Sequence, residues 1–226
     1  MIFNIFCDAS INTEMRIACG GCYITCQTND VNQELSKRLI IQHNATNNSA
    51  EILAIYCGIE EALKIRKQYP SAVFSLFSDS KISIYGLRDW IQNWIANAKD
   101  GILVSSSGQP VMNQQRFIII YNLIVRNKLY IELYHQRGHV TERISLDQAR
   151  AQFIRANRRT PESLGVDIEY LSKCNIAIDN ATRKALNNYI ISGDLSEDTE
   201  LDGIYPIEFN IESNLLYQYN RYIRKK

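Results

Sequence analysis

Apolar residues run through IFNIFC at the start of the chain and give way to Asp8. Such a run predicts a strand buried on both faces. RIACGGCYITC and ELSKRLIIQH are rich in β-formers and flank the turn-like TNDVN, so the first three strands read as an antiparallel meander. In NNSAEILAIYCGIEEALKIRKQY the spacing changes. Ile52, Ile55, Tyr56, Ile59 and Leu63 recur at helical intervals, and Pro70 stops that helix. AVFSLFS predicts a fourth strand ending at Asp79, and a helical stretch from Ser80 to about Ala98 carries Trp90 and Trp94 on one face. DGILVSSSGQPV reads as a surface loop, 113–125 as a helix and NKLYIELYH as a fifth strand. A polar, Arg-rich segment runs from Thr141 to Lys173, and IAIDNATRKALNNYII predicts a last helix opened by Asp179.

This order combines an antiparallel start with βαβ crossovers. Right-handed crossovers place strand one centrally, beside strand four. Asp8 and Asp79 then stand at neighbouring strand ends, where open α/β sheets carry their sites. The expected division is a domain over residues 1–192, with an insertion at about 141–173, and a tail over 193–226. The tail is acidic first and then Tyr-rich and basic, and Tyr217, Tyr219, Arg221 and Tyr222 are expected to pack back on the domain.

Composition narrows the field. A chain of 226 residues with 46% hydrophobic and 22% charged residues describes an ordinary globular protein. Its net charge of +1 gives no global attraction to nucleic acid, so any basic surface is local. FIIIYNLIV, the most apolar run, is too short to span a bilayer, and Asp8 arrives too early for a signal peptide. A cytoplasmic protein without a membrane partner is the expectation. Cys19 and Cys22 of the CGGC stretch point to opposite faces of a strand, so the six cysteines read as buried, reduced thiols.

Four acids stand at element junctions: Asp8, Glu51, Asp79 and Asp179. Each has an ordinary explanation alone. Asp8 caps a turn, Asp79-Ser80 caps a helix, and Glu51 and Asp179 complement helix dipoles. Converging on one point, they would repel unless a cation neutralised them. Oxygen-rich sites of that kind suit Mg²⁺ or Mn²⁺.

The strings D-A-S at Asp8, T-N-N-S-A-E at 46–51, S-D-S at 78–80, G-x-P-V-x-N at 108–113 and R-G-H at 137–139 follow in that order. Together with the Trp90 and Trp94 pair they make the chain resemble type I ribonuclease H from about Ile2 to Ile191. The resemblance implies an RNase H-like α/β fold, a mixed five-stranded sheet with helices on both faces. It also implies endonucleolytic hydrolysis of the RNA strand of an RNA/DNA hybrid, leaving 3′-hydroxyl and 5′-phosphate ends. Asp8, Glu51, Asp79 and Asp179 would be the metal-binding carboxylates, with Asp167 the competitor for the fourth place. Two divalent ions roughly 4 Å apart would clamp the scissile phosphate. His139 would assist proton movement or product departure. Asn47 and Asn48 match positions that contact 2′-hydroxyls, Thr46 and Asn113 a pocket for a DNA-strand phosphate, and Trp90 a deoxyribose contact. Trp94 is expected in the core and the protein as a monomer.

Two departures stand out. The family's bacterial members carry a Lys/Arg-rich handle where NAKDGILVSSSGQ has one Lys and one Asp. The gap between His139 and Asp179 is also longer than the family's short loop. Within it, ISLDQARAQFIRANRRT begins with a capping-box pattern and places Leu146, Ala149 and Phe153 on one face. Arg143, Arg150, Arg155, Arg158 and Arg159 outnumber Glu142 and Asp147 there, so a replacement basic platform over the hybrid and an ordinary solvated helix are both open. The alternatives to a hybrid-specific nuclease are a binding module that keeps the fold without turnover and another two-metal nuclease of the same superfold.

Overall fold

Strand β1 spans Ile2–Asn12, with Phe3 to Asp8 buried. It runs antiparallel to β2 (Ile17–Thr28), which runs antiparallel to β3 (Val31–His43). On its other side β1 pairs in parallel with β4 (Val73–Ser78), and β4 with β5 (Ile131–His135). The order is β5-β4-β1-β2-β3, and a short parallel strand β6 (Thr199–Leu201) joins the β3 edge. The structure, a computed structural model, describes residues 1–28, 31–138, 144–193 and 199–201. His139, Glu142, Arg143 and the tail residues from 202 onward lie outside them.

The helices are α1 (Asn47–Gln68), α2 (Lys81–Tyr85), α3 (Ile91–Ala96), α4 (Gln114–Arg126), α5 (Leu146–Asn157) and α6 (Ile168–Ser192). A π turn, Gly86–Trp90, joins α2 to α3. Because side chains alternate along a strand, the apolar residues of β1, interrupted only by the buried Asn4, feed two cores. Phe3, Ile5 and Cys7 meet Ile52, Ile55 and Ile59 of α1, while Phe6 meets Leu171 and Ile178 of α6 on the opposite face. Phe6, Phe77 and Tyr134 stack in a row, with centroids 5.1 and 5.4 Å apart, and Phe153 of α5 covers them. Cys22 belongs to the first core and Cys19 to the second, and all six cysteines are buried thiols outside any disulfide. Gly58 lets α1 lie close on β1, since a Cβ there would stand 2.8 Å from Cys7 Sγ.

Two boundaries and one helix face differ from the sequence reading. β1 does not end at Asp8 but continues to Asn12, because its hairpin with β2 outlasts its pairing with β4. The last helix opens at Ile168 rather than Asp179. Asp167 is its N-cap, accepting from the Tyr170 amide at 2.7 Å, so Asp179 lies in mid-helix. Leu146 is exposed, although Ala149 and Phe153 of the same helix are buried.

The Arg-rich segment is built into the domain. Asn157 at the end of α5 donates to the His135 carbonyl at 2.7 Å and accepts from the His135 amide at 2.9 Å. Arg88 binds the same Asn157 Oδ1 at 3.0 Å and the Leu133 and Ala156 carbonyls at 3.2 Å. The end of β5 and the end of α5 are thereby locked together.

Candidate active site

Register brings the first two acids together. Cys7 of β1 pairs with Ser78 of β4, so Asp8 and Asp79 each follow the last paired residue of adjacent parallel strands. Asp79 is not the cap of α2; Ser80 is, accepting from the Ser83 amide. Glu51 comes from α1, whose start is fixed by a Thr46–Ser49 capping box. It lies beyond the first turn, which holds no acid, so the dipole explanation for Glu51 fails.

Carboxylate oxygens of Asp8, Glu51 and Asp79 all lie within 4.8 Å of one another. The electrostatics are unfavourable as they stand. Burial, and then the Asp79 charge, push Asp8 up to about 8. Burial, followed by the charges of Asp8, Asp79 and Asp179, pushes Glu51 well above the usual carboxylate range. Glu51 Oε2 is buried without a hydrogen-bond partner. Three oxygen ligands of like charge and an orphaned carboxylate oxygen are what a hard divalent cation would satisfy.

Asp179 is buried on α6, outside that group of three, and pairs with Arg183 one turn further on. Its charge nonetheless contributes to raising both Asp8 and Glu51. A hydroxyl contact of 3.0 Å between Thr182 and Ser10 holds this part of α6 against β1. Asp167 is twelve residues earlier on the helix, about 18 Å along its axis at ~1.5 Å per residue.

Several neighbours escaped the sequence reading. Gly138 passes so close to Asp79 that an added Cβ would collide with the Asp79 carboxylate. The same Cβ would stand 3.4 Å from Asn175 Oδ1, and Asn175 is almost fully buried with Nδ2 unpartnered. His135 Nε2 lies 3.1 Å from the Asp79 carbonyl, and burial lowers the His135 pKa. Arg116 donates to Gln42 Oε1 at 3.3 Å and to the Ser49 carbonyl at 3.2 Å. It therefore ties the start of α4 to the start of α1. Only Gly138 carried a sequence signal, as the middle of R-G-H.

Of the remaining candidates, His139 lies outside the described residues. Thr46, Asn47 and Asn48 are exposed at the start of α1, and Asn113 caps α4 with φ 56. Trp90 is 39% exposed and meets Tyr85 edge-on, whereas Trp94 is buried edge-on against Phe117, as expected.

The family model for RNase H matches residues 2–151. Ribonuclease HI of Haemophilus influenzae is 35% identical over 98 residues, which cover 43% of this chain and 56% of that protein. The chain thus matches little more than half the length of that curated relative. Among solved structures, LC11-RNase H1 in complex with RNA/DNA hybrid aligns with a TM-score of 0.45 and 15% identity, over 75% of this chain and 99% of that one. RNase H1 from Halobacterium salinarum aligns with a TM-score of 0.43 and 14% identity, over 66% and 94%.

Proposed function

Because the chain belongs to the RNase H family, whose chemistry uses divalent metal, we propose that it is a Mg²⁺-dependent endoribonuclease. It hydrolyses the RNA strand of RNA/DNA hybrids and leaves 3′-hydroxyl and 5′-phosphate ends. The observation that supports this reading is the meeting of Asp8, Glu51 and Asp79, from a strand, a helix and a strand end, within 4.8 Å.

Asp8, Glu51, Asp79 and Asp179 would hold the metal, which when bound supplies Lewis-acid activation of water and neutralises charge on the phosphate; Mg²⁺ fits as a hard, oxygen-preferring ion. The chain's own groups do the rest. Asp8 is held by its pairing with Gly21 of β2 and follows directly on the last residue of β1 that pairs with β4. Gly138 leaves the Asp79 carboxylate room to face the cluster. Asn47 and Asn48 read 2′-hydroxyls beside Glu51, which distinguishes RNA from DNA. Thr46 and Asn113, on the two helix starts bridged by Arg116, hold a phosphate of the DNA strand. Trp90 packs on a deoxyribose, and His139 moves a proton or eases product departure. The catalytic domain spans 1–192, with 193–226 as its tail.

The protein acts as a monomer in the cytoplasm, a compartment in which buried thiols stay reduced. No helix among the described residues is long and apolar enough to cross a membrane.

The test is direct. Labelled RNA/DNA hybrid, RNA duplex and DNA duplex are incubated with Mg²⁺ and either the wild type or Asp79→Asn. Internal cuts in hybrid RNA alone, absent with the variant, are expected. Tight hybrid binding without cleavage would instead make the chain a binding module, and cutting of DNA duplex would make it a different nuclease.

A further inference from the structure

A groove of about 710 Å³ opens where α2, the end of β5, α5 and α6 meet. Its wall includes Lys81, His135, Gln136, Arg137, Gln152 and Arg155. Three of these are cations, and none of the described lining residues is acidic. Among the described residues, Lys81, Arg137 and Arg155 form no ion pair, whereas Arg150 on the same helix is paired with Glu162. The groove borders the carboxylate cluster, because Lys81 follows Asp79 by two positions and His135 touches the Asp79 carbonyl.

Two further features give it chemistry. Gln136 is only 4% exposed, and neither atom of its carboxamide has a hydrogen-bond partner. Tyr85 also lines the groove, with its ring 5.7 Å from His135 and 5.8 Å from the exposed Trp90. An aromatic run therefore leads from the surface into the concavity.

We propose that this groove takes an unpaired nucleotide from a single-stranded RNA flank of the hybrid, an inference that rests on the hybrid-cleavage reading. A duplex keeps its bases stacked, whereas an unpaired base offers a face to the aromatic rings of Tyr85 and Trp90. Its phosphates meet Lys81, Arg137 and Arg155. The volume falls within the ~300–1,000 Å³ of small-molecule sites, which is the scale of one nucleotide and not of a helix. Arg137 is already oriented, donating to Gln152 Oε1 at 3.2 Å. The wall supplied by α5 is held in place by Asn157 and Arg88.

The experiment compares blunt hybrids with hybrids carrying a 5′ or a 3′ single-stranded RNA overhang, using the full chain. Wild type is expected to show a kcat/KM about tenfold higher for one overhanging hybrid than for the blunt one. In Arg155→Glu, and in Gln152→Trp, which fills the groove from an exposed position, that ratio falls to about one. Matching circular dichroism melts confirm that the variants are folded. Equal wild-type values for all three hybrids overturn the proposal, and so does a preference that survives both variants. If no hybrid is cleaved, the hybrid-cleavage reading fails by itself. The groove is then read from fluorescence anisotropy of a labelled single-stranded RNA, with about tenfold weaker binding expected for Arg155→Glu and equal binding overturning the proposal.

Discussion

The carboxylate cluster and the groove adjoin at Asp79, yet they are built in opposite ways. The cluster crowds three acids within 4.8 Å and leaves Glu51 Oε2 without a partner. The groove gathers Lys81, Arg137 and Arg155 with no acid among its described lining residues and leaves the Gln136 carboxamide unmet. The cluster is crowded with negative charge, whereas the groove's described wall carries positive charge. One site calls for a cation and the other for an anion. Such segregation over so short a distance fits a ligand that presents a metal-bridged phosphate at one point and bare phosphates nearby.

The largest expected effect comes from breaking the acidic side. Asp79→Asn or Asp8→Asn should lower hybrid cleavage by at least about 10³-fold, read as initial rates with saturating Mg²⁺. Asp8→Asn should also raise the melting temperature of the metal-free protein by ~2–4 °C, since it removes a buried, repelled carboxylate. A variant that loses activity and stability together would mean that Asp8 serves packing. Gly138→Ala comes next. Its Cβ displaces the Asp79 carboxylate, so kcat/KM should fall by about 10–100-fold while the melting temperature changes little.

How much of this was legible in the residues depends on the kind of signal. IFNIFC and AVFSLFS announced buried strands, and Ile52, Ile55 and Ile59 announced a helix, because apolar spacing reports burial directly. Asp8 and Asp79 could be placed side by side from topology alone. The extension of β1 to Asn12 could not, since Ala9–Asn12 are half-buried and depend on pairing with β2. The start of α6 was hidden because Glu169, Tyr170 and Lys173 make its first turns polar, and the cap at Asp167 resembles any loop aspartate. The groove was illegible for a deeper reason. Gln136 in β5's continuation and Arg155 in α5 meet only through tertiary packing, and neither breaks a pattern in its own segment.

A pH series sharpens the contrast with a smaller effect. Between about pH 4, where an unfolded aspartate titrates, and about 8, the folded chain keeps a proton on Asp8 that the unfolded chain has lost. The folded state binds more protons there, so stability without metal falls as pH rises through that window. Glu51, also raised, adds in the same direction. Millimolar Mg²⁺ should flatten the melting-temperature profile; a profile that rises with pH would contradict the account. The smallest effect belongs to the basic side. Arg150 is paired with Glu162 and Arg159 lies 3.7 Å from Glu132, which leaves Arg155 of α5 and its C-cap Arg158 to meet phosphate. Replacing both with Ala should reduce the slope of log K against log salt by about 2 for hybrid binding.

The central claim is tested most directly by calorimetric titration of Mn²⁺ into the wild type and Glu51→Gln at about pH 7, in two buffers of different ionisation heat. Binding to the wild type should release protons, visible as a buffer-dependent enthalpy, and should weaken at least about tenfold in Glu51→Gln. Equal affinity in the two proteins, with an enthalpy independent of buffer, would contradict a cation site built from Asp8, Glu51 and Asp79.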